Sequence, residues 1–250
     1  EMELDTIHKK DLSVYFLHEV GFINYAKEHG ILTGYGRGSA VSYLTNYVLG
    51  ITKINPMPYN LLPERFLSVD RDDPADIDTD LAIDGRYEVK QHVGNTYDYV
   101  SNIATIGYYK DKSAIKAAAK IFKAPFSETT RLSNKVSTID EFAKHPDTKQ
   151  YRDKFPHVVP LAKRLNGRIQ NFGMHAGGIV LSKEPITNYA PMQSQKDPQD
   201  DSAPRVPVVG LDMNEAAEVG FIKYDLLGLK ALDIVDDTVK FVKERHGIEL

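Results

Sequence analysis

The sequence predicts an α+β protein whose core is split into two parts by a basic, mostly helical segment. Three observations predict it. Short strand-like runs at residues 76–81, 177–181 and 221–226 alternate with segments of helical periodicity. The helical segments carry apolar stripes at 3-4 spacing, with polar residues filling the other positions. The charge is also unevenly distributed. The chain of 250 residues has a net charge of −4, yet residues 108–168 hold fourteen Lys and Arg against six Asp and Glu. The remainder is acidic. A basic stretch suited to phosphates beside a carboxylate-rich core is what a metal-dependent enzyme acting on nucleic acid needs. A solvated basic surface is the competing reading of the charge alone.

From the N-terminus, residues 13–29 read as a helix with Phe16, Leu17, Val20 and Ile23 on one face, and Gly30 stops it. Residues 34–39, Gly-Tyr-Gly-Arg-Gly-Ser, form a glycine-rich turn that leads into an expected helix over 40–48. A further helix is expected over 61–67. Residues 76–81 alternate acidic and non-acidic positions, as an extended strand would, and residues 97–106 read as another strand. Residues 110–123 are amphipathic. Ile115, Ala118, Ala119 and Phe122 lie on one face, with Lys112, Lys116, Lys120 and Lys123 largely on the other. A final helix carries Leu229, Leu232, Val235, Val239 and Val242.

No apolar run approaches the length of a membrane span, and no N-terminal stretch has the order of a signal peptide. Cysteine is absent, which rules out disulfides and thiolate metal sites and is compatible with a reducing compartment. A first residue of Glu1 rather than Met suggests a piece of something longer.

Three constellations point to chemistry. Asp76, Asp78 and Asp80 share one face of a strand. Carboxylates that close repel unless a cation joins them, and hard oxygen ligands suit Mg²⁺. A solvated acidic edge is the alternative. Gly34, Gly36 and Gly38 free the backbone for a sharp turn, with Arg37 and Ser39 as donors for a triphosphate. The spacing fits neither a Walker loop nor a dinucleotide fingerprint, and an ordinary tight turn is the alternative. Asp225 stands alone among apolar residues in Lys223-Tyr224-Asp225-Leu226-Leu227-Gly228, where a desolvated carboxylate needs a partner. Lys223, two positions away on the same face, offers a simple ion pair instead. His175 is read as structural.

Taken together, Gly36-Arg37-Gly38-Ser39-Ala40, Gly50-Ile51-Thr52, Glu64-Arg65-Phe66-Leu67, Asp76-Ile77-Asp78, His175-Ala176-Gly177-Gly178-Ile179-Val180 and Lys223-Tyr224-Asp225-Leu226-Leu227-Gly228-Leu229-Lys230 resemble the C-family bacterial replicative polymerases, the alpha subunit of DNA polymerase III. The six stretches stand in the family's order across nearly the whole chain. Tyr35, Ser42 and Met174 depart from it, where the family more often has Pro, Gly and Lys; a divergent origin such as a phage would fit these departures.

The resemblance implies a palm like that of DNA polymerase beta-type nucleotidyltransferases, a mixed sheet flanked by helices, over residues 1–107 and 176–250. It implies a helical thumb inserted at 108–175. It makes Asp76, Asp78 and Asp225 the catalytic metal ligands for two Mg²⁺, with Mn²⁺ as a substitute, and gives Asp80 a supporting role at most. Arg37, Gly38, Ser39, Arg65 and Lys223 would bind the incoming nucleotide. Lys112, Lys116, Lys120 and Lys123 would meet DNA. The implied activity is template-directed transfer of a nucleotide from a dNTP to a primer 3′-hydroxyl, with release of pyrophosphate. The implied partners are primer–template DNA, dNTP, the remaining polymerase chain (fingers and N-terminal domain) and the sliding clamp with other replisome proteins, in the cytoplasm. A template-independent nucleotidyltransferase and a non-catalytic DNA-binding fragment are the alternatives.

Overall fold

The computed structural model describes residues 1–71, 75–196 and 205–249. They divide into two compact units, one of residues 1–104 with 174–250 and one of residues 105–173.

The first unit opens with helix α1 (Met2–Lys9) and helix α2 (Ser13–Glu28), which ends as Gly30 turns left-handed at φ +68°. The buried face of α2 is Tyr15, Phe16, Glu19, Phe22, Ile23 and Ala26, so a carboxylate lies within its apolar stripe, while Leu17 is exposed. The expected helix over 40–48 is broken. A 3-10 turn, Gly38–Ser42, is followed by extended Tyr43 and only then by α3 (Leu44–Val48). The break sends the Tyr43 ring into the core beside Phe16 and Phe66. Glu3 of α1 then caps α3, accepting from the amides of Leu44 at 2.9 Å and Thr45 at 2.7 Å.

The expected helix over 61–67 is reduced to the 3-10 turn Pro63–Arg65. Pro63 disfavours helical geometry in the residue before it, and Leu62 is extended.

Strand β1 (Asp78–Leu81) leads into α4 (Ile83–Thr96) and then β2 (Tyr99–Tyr108), whose last residues belong to the second unit. That unit contains α5 (Asp111–Ile121), α6 (Phe126–Ser133), α7 (Ile139–Lys144), α8 (Lys149–Lys154) and α9 (Val158–Leu165). Its core is separate, built on Ala114, Ile115, Ala118, Leu132, Phe142, Tyr151 and Val158. Lys112, Lys120 and Lys123 are exposed and Lys116 half-buried; Lys123 lies beyond the end of α5 at φ +54°.

Strand β3 (Ile169–Ser182) is far longer than the five residues expected and returns the chain to the first unit. β4 (Met192–Gln195), β5 (Val206–Val209), α10 (Met213–Glu218), β6 (Lys223–Gly228) and α11 (Lys230–His246) complete it. The sheet is mixed, in the order β1-β6-β3-β2-β5-β4. β1 and β6 are parallel and β3 and β6 antiparallel, so β6 is flanked on both sides.

The main core joins α2, β1, α4, β3 and β6 through Tyr15, Phe22, Leu81, Val89, Ile179 and Leu226. No residue of α11 is fully buried, although Asp233 at its start accepts from the Ile83 amide at 2.7 Å and caps α4. No described helix is long and apolar enough to cross a membrane.

Close approach of β3 and β6 depends on Gly177. A Cβ on Gly177 would lie 2.5 Å from Leu227 Cδ2 and 3.0 Å from the Leu226 carbonyl. Gly177→Ala is therefore expected to lower stability by about 1–3 kcal/mol, the scale of an overpacked core, read from denaturant unfolding. An unchanged midpoint would show that the strands can part without cost.

Candidate active site

Register brings the acids together. In the β1–β6 pairing Asp78 lies directly opposite Asp225, so their side chains emerge on the same face. Asp76 precedes Asp78 by two residues. Oxygen atoms of Asp76, Asp78 and Asp225 all lie within 4.8 Å of one another, and this is the cluster of metal-ligand type among the described residues. Asp76 is exposed, Asp78 half-buried and Asp225 buried.

Two cations answer this charge. Lys223 Nζ is 2.7 Å from Asp225 Oδ2 and 3.4 Å from Asp76 Oδ1, so the ion pair open in the sequence is formed. Burial pulls the Lys223 pKa down, but the hydrogen bond and charge of Asp225, together with Asp76, outweigh it and raise the net value. The Arg37 guanidinium binds Asp80 through Nε at 2.9 and 3.0 Å and comes within 3.4 Å of Asp78 Oδ1. Its pKa is raised because these carboxylates more than offset desolvation. The Asp78 pKa is raised, first by burial; Arg37 opposes the shift, and the charges of Asp76, Asp225 and Asp80 add to it.

The residues fit a divalent cation. Asp225 Oδ1 is buried with no hydrogen-bond partner, and such an orphaned charged oxygen is costly unless something cationic reaches it. His175 does not serve. Its Nδ1 is 4.0 Å from Asp225 Oδ1 and already accepts the Gly178 amide at 2.6 Å, which puts a neutral ring's proton on Nε2. That bond is the local structural role expected of it. Gly178 lies opposite Asp225 on β3, where a Cβ would stand 2.7 Å from His175 Nδ1.

The glycine-rich turn lies against the acids. Gly34 donates its amide to the Asp80 carbonyl at 2.9 Å, and a Cβ on Gly34 would be 2.8 Å from Asp80 Cβ. Gly36 and Gly38 adopt φ of +99° and +65°, a region open to glycine. A Cβ on Gly38 would stand 3.9 Å from Asp78 Oδ2, so the turn passes beside that carboxylate. Ser39 follows in the 3-10 turn, its carbonyl accepting from Ser42 Oγ at 2.7 Å. Arg65 is exposed on its own turn; the described ion pairs of the cluster are made by Arg37 and Lys223 instead.

Beneath the sheet lies a buried carboxylate that the sequence alone does not single out. Thr79 points away from Asp78 and Asp80, and its hydroxyl donates to Glu19 Oε2 at 2.8 Å. Glu19 is fully buried and its Oε1 has no partner. Burial, opposed by the Thr79 bond and reinforced by Asp225, Asp76 and Asp78, pushes its carboxyl up to about 8. Tyr15 fixes the lead-in to β1 by accepting the Ile77 amide at 3.0 Å. The signal for Glu19 was its spacing: Phe16, Glu19, Ile23 and Ala26 fall on one helical face.

Comparison with known proteins identifies the family. Residues 1–228 match the family described as the bacterial DNA polymerase III alpha NTPase domain. The DNA polymerase III subunit alpha of Xylella fastidiosa is 33% identical over 265 residues, covering 99% of this chain and 22% of that protein. That of Thermus aquaticus is 33% identical over 263 residues, covering 99% and 21%. The Escherichia coli protein is 30% identical over 258 residues, covering 99% and 22%. The chain thus spans about a fifth of the length of these relatives. With residues 1–228 matched by this one family and relatives 30–33% identical along nearly its whole length, the chain belongs to the bacterial DNA polymerase III alpha family.

Proposed function

We propose that this chain carries the catalytic centre of a template-directed DNA polymerase, on a palm of the polymerase beta type. The observation that carries the reading is the convergence of Asp76, Asp78 and Asp225 around the buried, unpartnered oxygen of Asp225. These three residues would hold two divalent cations, Mg²⁺ or Mn²⁺. When bound, such cations acidify a primer 3′-hydroxyl and stabilise charge on the triphosphate and departing pyrophosphate.

The protein's own part is positioning. Arg37 and Lys223, held at the edge of the acid cluster, orient phosphate oxygens. The left-handed Gly38 lets the backbone pass close enough for its amide and the Ser39 hydroxyl to meet the triphosphate. Arg65, exposed on its own turn, is a further nucleotide contact in this reading. The remaining polymerase chain, sliding clamp and other replisome proteins are the partners this reading entails, in the cytoplasm.

Primer extension by a full-length polymerase subunit bearing this sequence tests it. Incorporation should require a template and follow its sequence. Extension of single strands without a template would favour a template-independent nucleotidyltransferase, and binding without incorporation a non-catalytic fragment.

The unit of residues 105–173 is the thumb in this reading, its lysines meeting the DNA backbone. Reversing Lys112, Lys116, Lys120 and Lys123 to Glu should weaken duplex binding and reduce the salt slope by roughly one unit per lost phosphate contact. Sequence preference should stay the same, because phosphate contacts carry none. An unchanged slope in binding titrations from low to high salt would place the DNA path elsewhere.

A further inference from the structure

Asp80 shares a strand with Asp78 but stands outside the converging cluster, and its carboxylate is 7% exposed. Both of its oxygens accept from Arg37 Nε. Nε is the guanidinium nitrogen nearest the chain, so a bond there fixes the pivot of the group and leaves the terminal nitrogens to point onward. One of them lies 3.4 Å from Asp78 Oδ1, at the edge of the acids. The Arg37 side chain is 46% exposed, while the carboxylate that anchors it is buried.

The backbone is built to permit this. Gly34 packs against Asp80 at a distance no side chain would allow and ties the turn to β1 through its amide, three residues before Arg37. An arginine free in solvent loses rotamer freedom when it binds a phosphate; one already anchored loses much less.

We propose that Asp80 is the positioning residue for Arg37, gripping Nε so that the terminal nitrogens face a triphosphate bound at the acid cluster. Asp80 in this role is no metal ligand, because it stands outside the cluster of Asp76, Asp78 and Asp225 and its charge is paired with the guanidinium. The inference rests on the polymerase reading and adds the device that aims its phosphate contact.

The test is a double-mutant cycle in the full-length subunit, using a non-hydrolysable dATP analogue with Mg²⁺. Arg37→Gln and Asp80→Asn should each weaken its binding about tenfold, the scale of a charge-assisted hydrogen bond. The double variant should be no weaker than either single one, since both remove the same contact. Asp80→Glu, which keeps the carboxylate, should recover most of the affinity, and the KM for dATP should follow the same order. Mn²⁺ affinity in the absence of nucleotide should be the same in Asp80→Asn as in wild type.

Wild-type analogue binding by Asp80→Asn would overturn the inference, as would losses that multiply in the double variant. Weakened Mn²⁺ binding by Asp80→Asn would overturn it by making Asp80 a ligand. Failure of the wild type to bind the analogue at all would overturn the polymerase reading together with it.

Discussion

Asp76→Asn, Asp78→Asn and Asp225→Asn are each expected to lower nucleotide incorporation by about 10²–10³-fold or more, at least the scale of losing one preorganised charge-stabilising group. Each substitution removes a formal charge from a cluster whose oxygens lie within 4.8 Å of one another, while changing the side chain's shape very little. The three should not be equivalent in the fold. Asp76 is exposed and Asp78 half-buried, so their loss should leave the thermal melt near wild type. Asp225 is buried and paired with Lys223 at 2.7 Å, so its Asn variant leaves a half-buried ammonium with a weaker partner and should also destabilise. Asp80→Asn should cost much less activity than any of the three. Single-turnover primer extension with each variant decides. Activity that survives Asp225→Asn but not Asp80→Asn would reassign the site.

Glu19→Gln is expected to change stability strongly, with a sign that depends on pH. The Glu19 carboxyl titrates near 4.5 when unfolded and at about 8 in the native protein. Between these values the unfolded chain has released the proton and the folded protein keeps it. Native stability therefore falls as pH rises through this window, by about 1.4 kcal/mol per unit for a single group. The full contribution is present below pH 4.5 and lost above about 8. The amide cannot ionise, so Glu19→Gln should match or slightly trail wild type at low pH and exceed it by several kcal/mol at the alkaline end. Denaturant unfolding of both proteins across this range, in chelator-treated buffer, measures it. Parallel pH profiles would mean that Glu19 ionises without penalty or finds a cation.

The contrast between Asp78 and Glu19 shows what was legible in the sequence. Alternation in Asp76-Ile77-Asp78-Thr79-Asp80 was enough to put three acids on one side of a strand, because a strand's period is fixed by its backbone. The pairing of Asp78 with Asp225 is a register across about 150 positions and leaves no local trace; it entered only through the family resemblance. Helices α2 and α5 declared themselves by apolar spacing, but α4 did not, since Gly85, Arg86 and Gly94 interrupt its pattern. The break at Tyr43 was hidden for a different reason. Residues 40–48 are locally compatible with a helix, and the burial of one ring decides against it. Lys223 and Arg37 were both singled out as phosphate contacts, yet their carboxylate partners differ in visibility. Asp225 is two residues from Lys223, whereas Asp80 meets Arg37 across 43 positions.

A Mn²⁺ titration followed by electron paramagnetic resonance measures directly whether Asp76, Asp78 and Asp225 act together as a divalent-cation site. Wild-type protein should bind Mn²⁺ and release it to excess Mg²⁺. The combined Asp76→Asn and Asp78→Asn variant, folded as judged by its melt, should bind at least about tenfold more weakly, since Asp225 alone offers one carboxylate beside a competing ammonium. Equal Mn²⁺ affinity in the two proteins would mean that these carboxylates do not hold the cation.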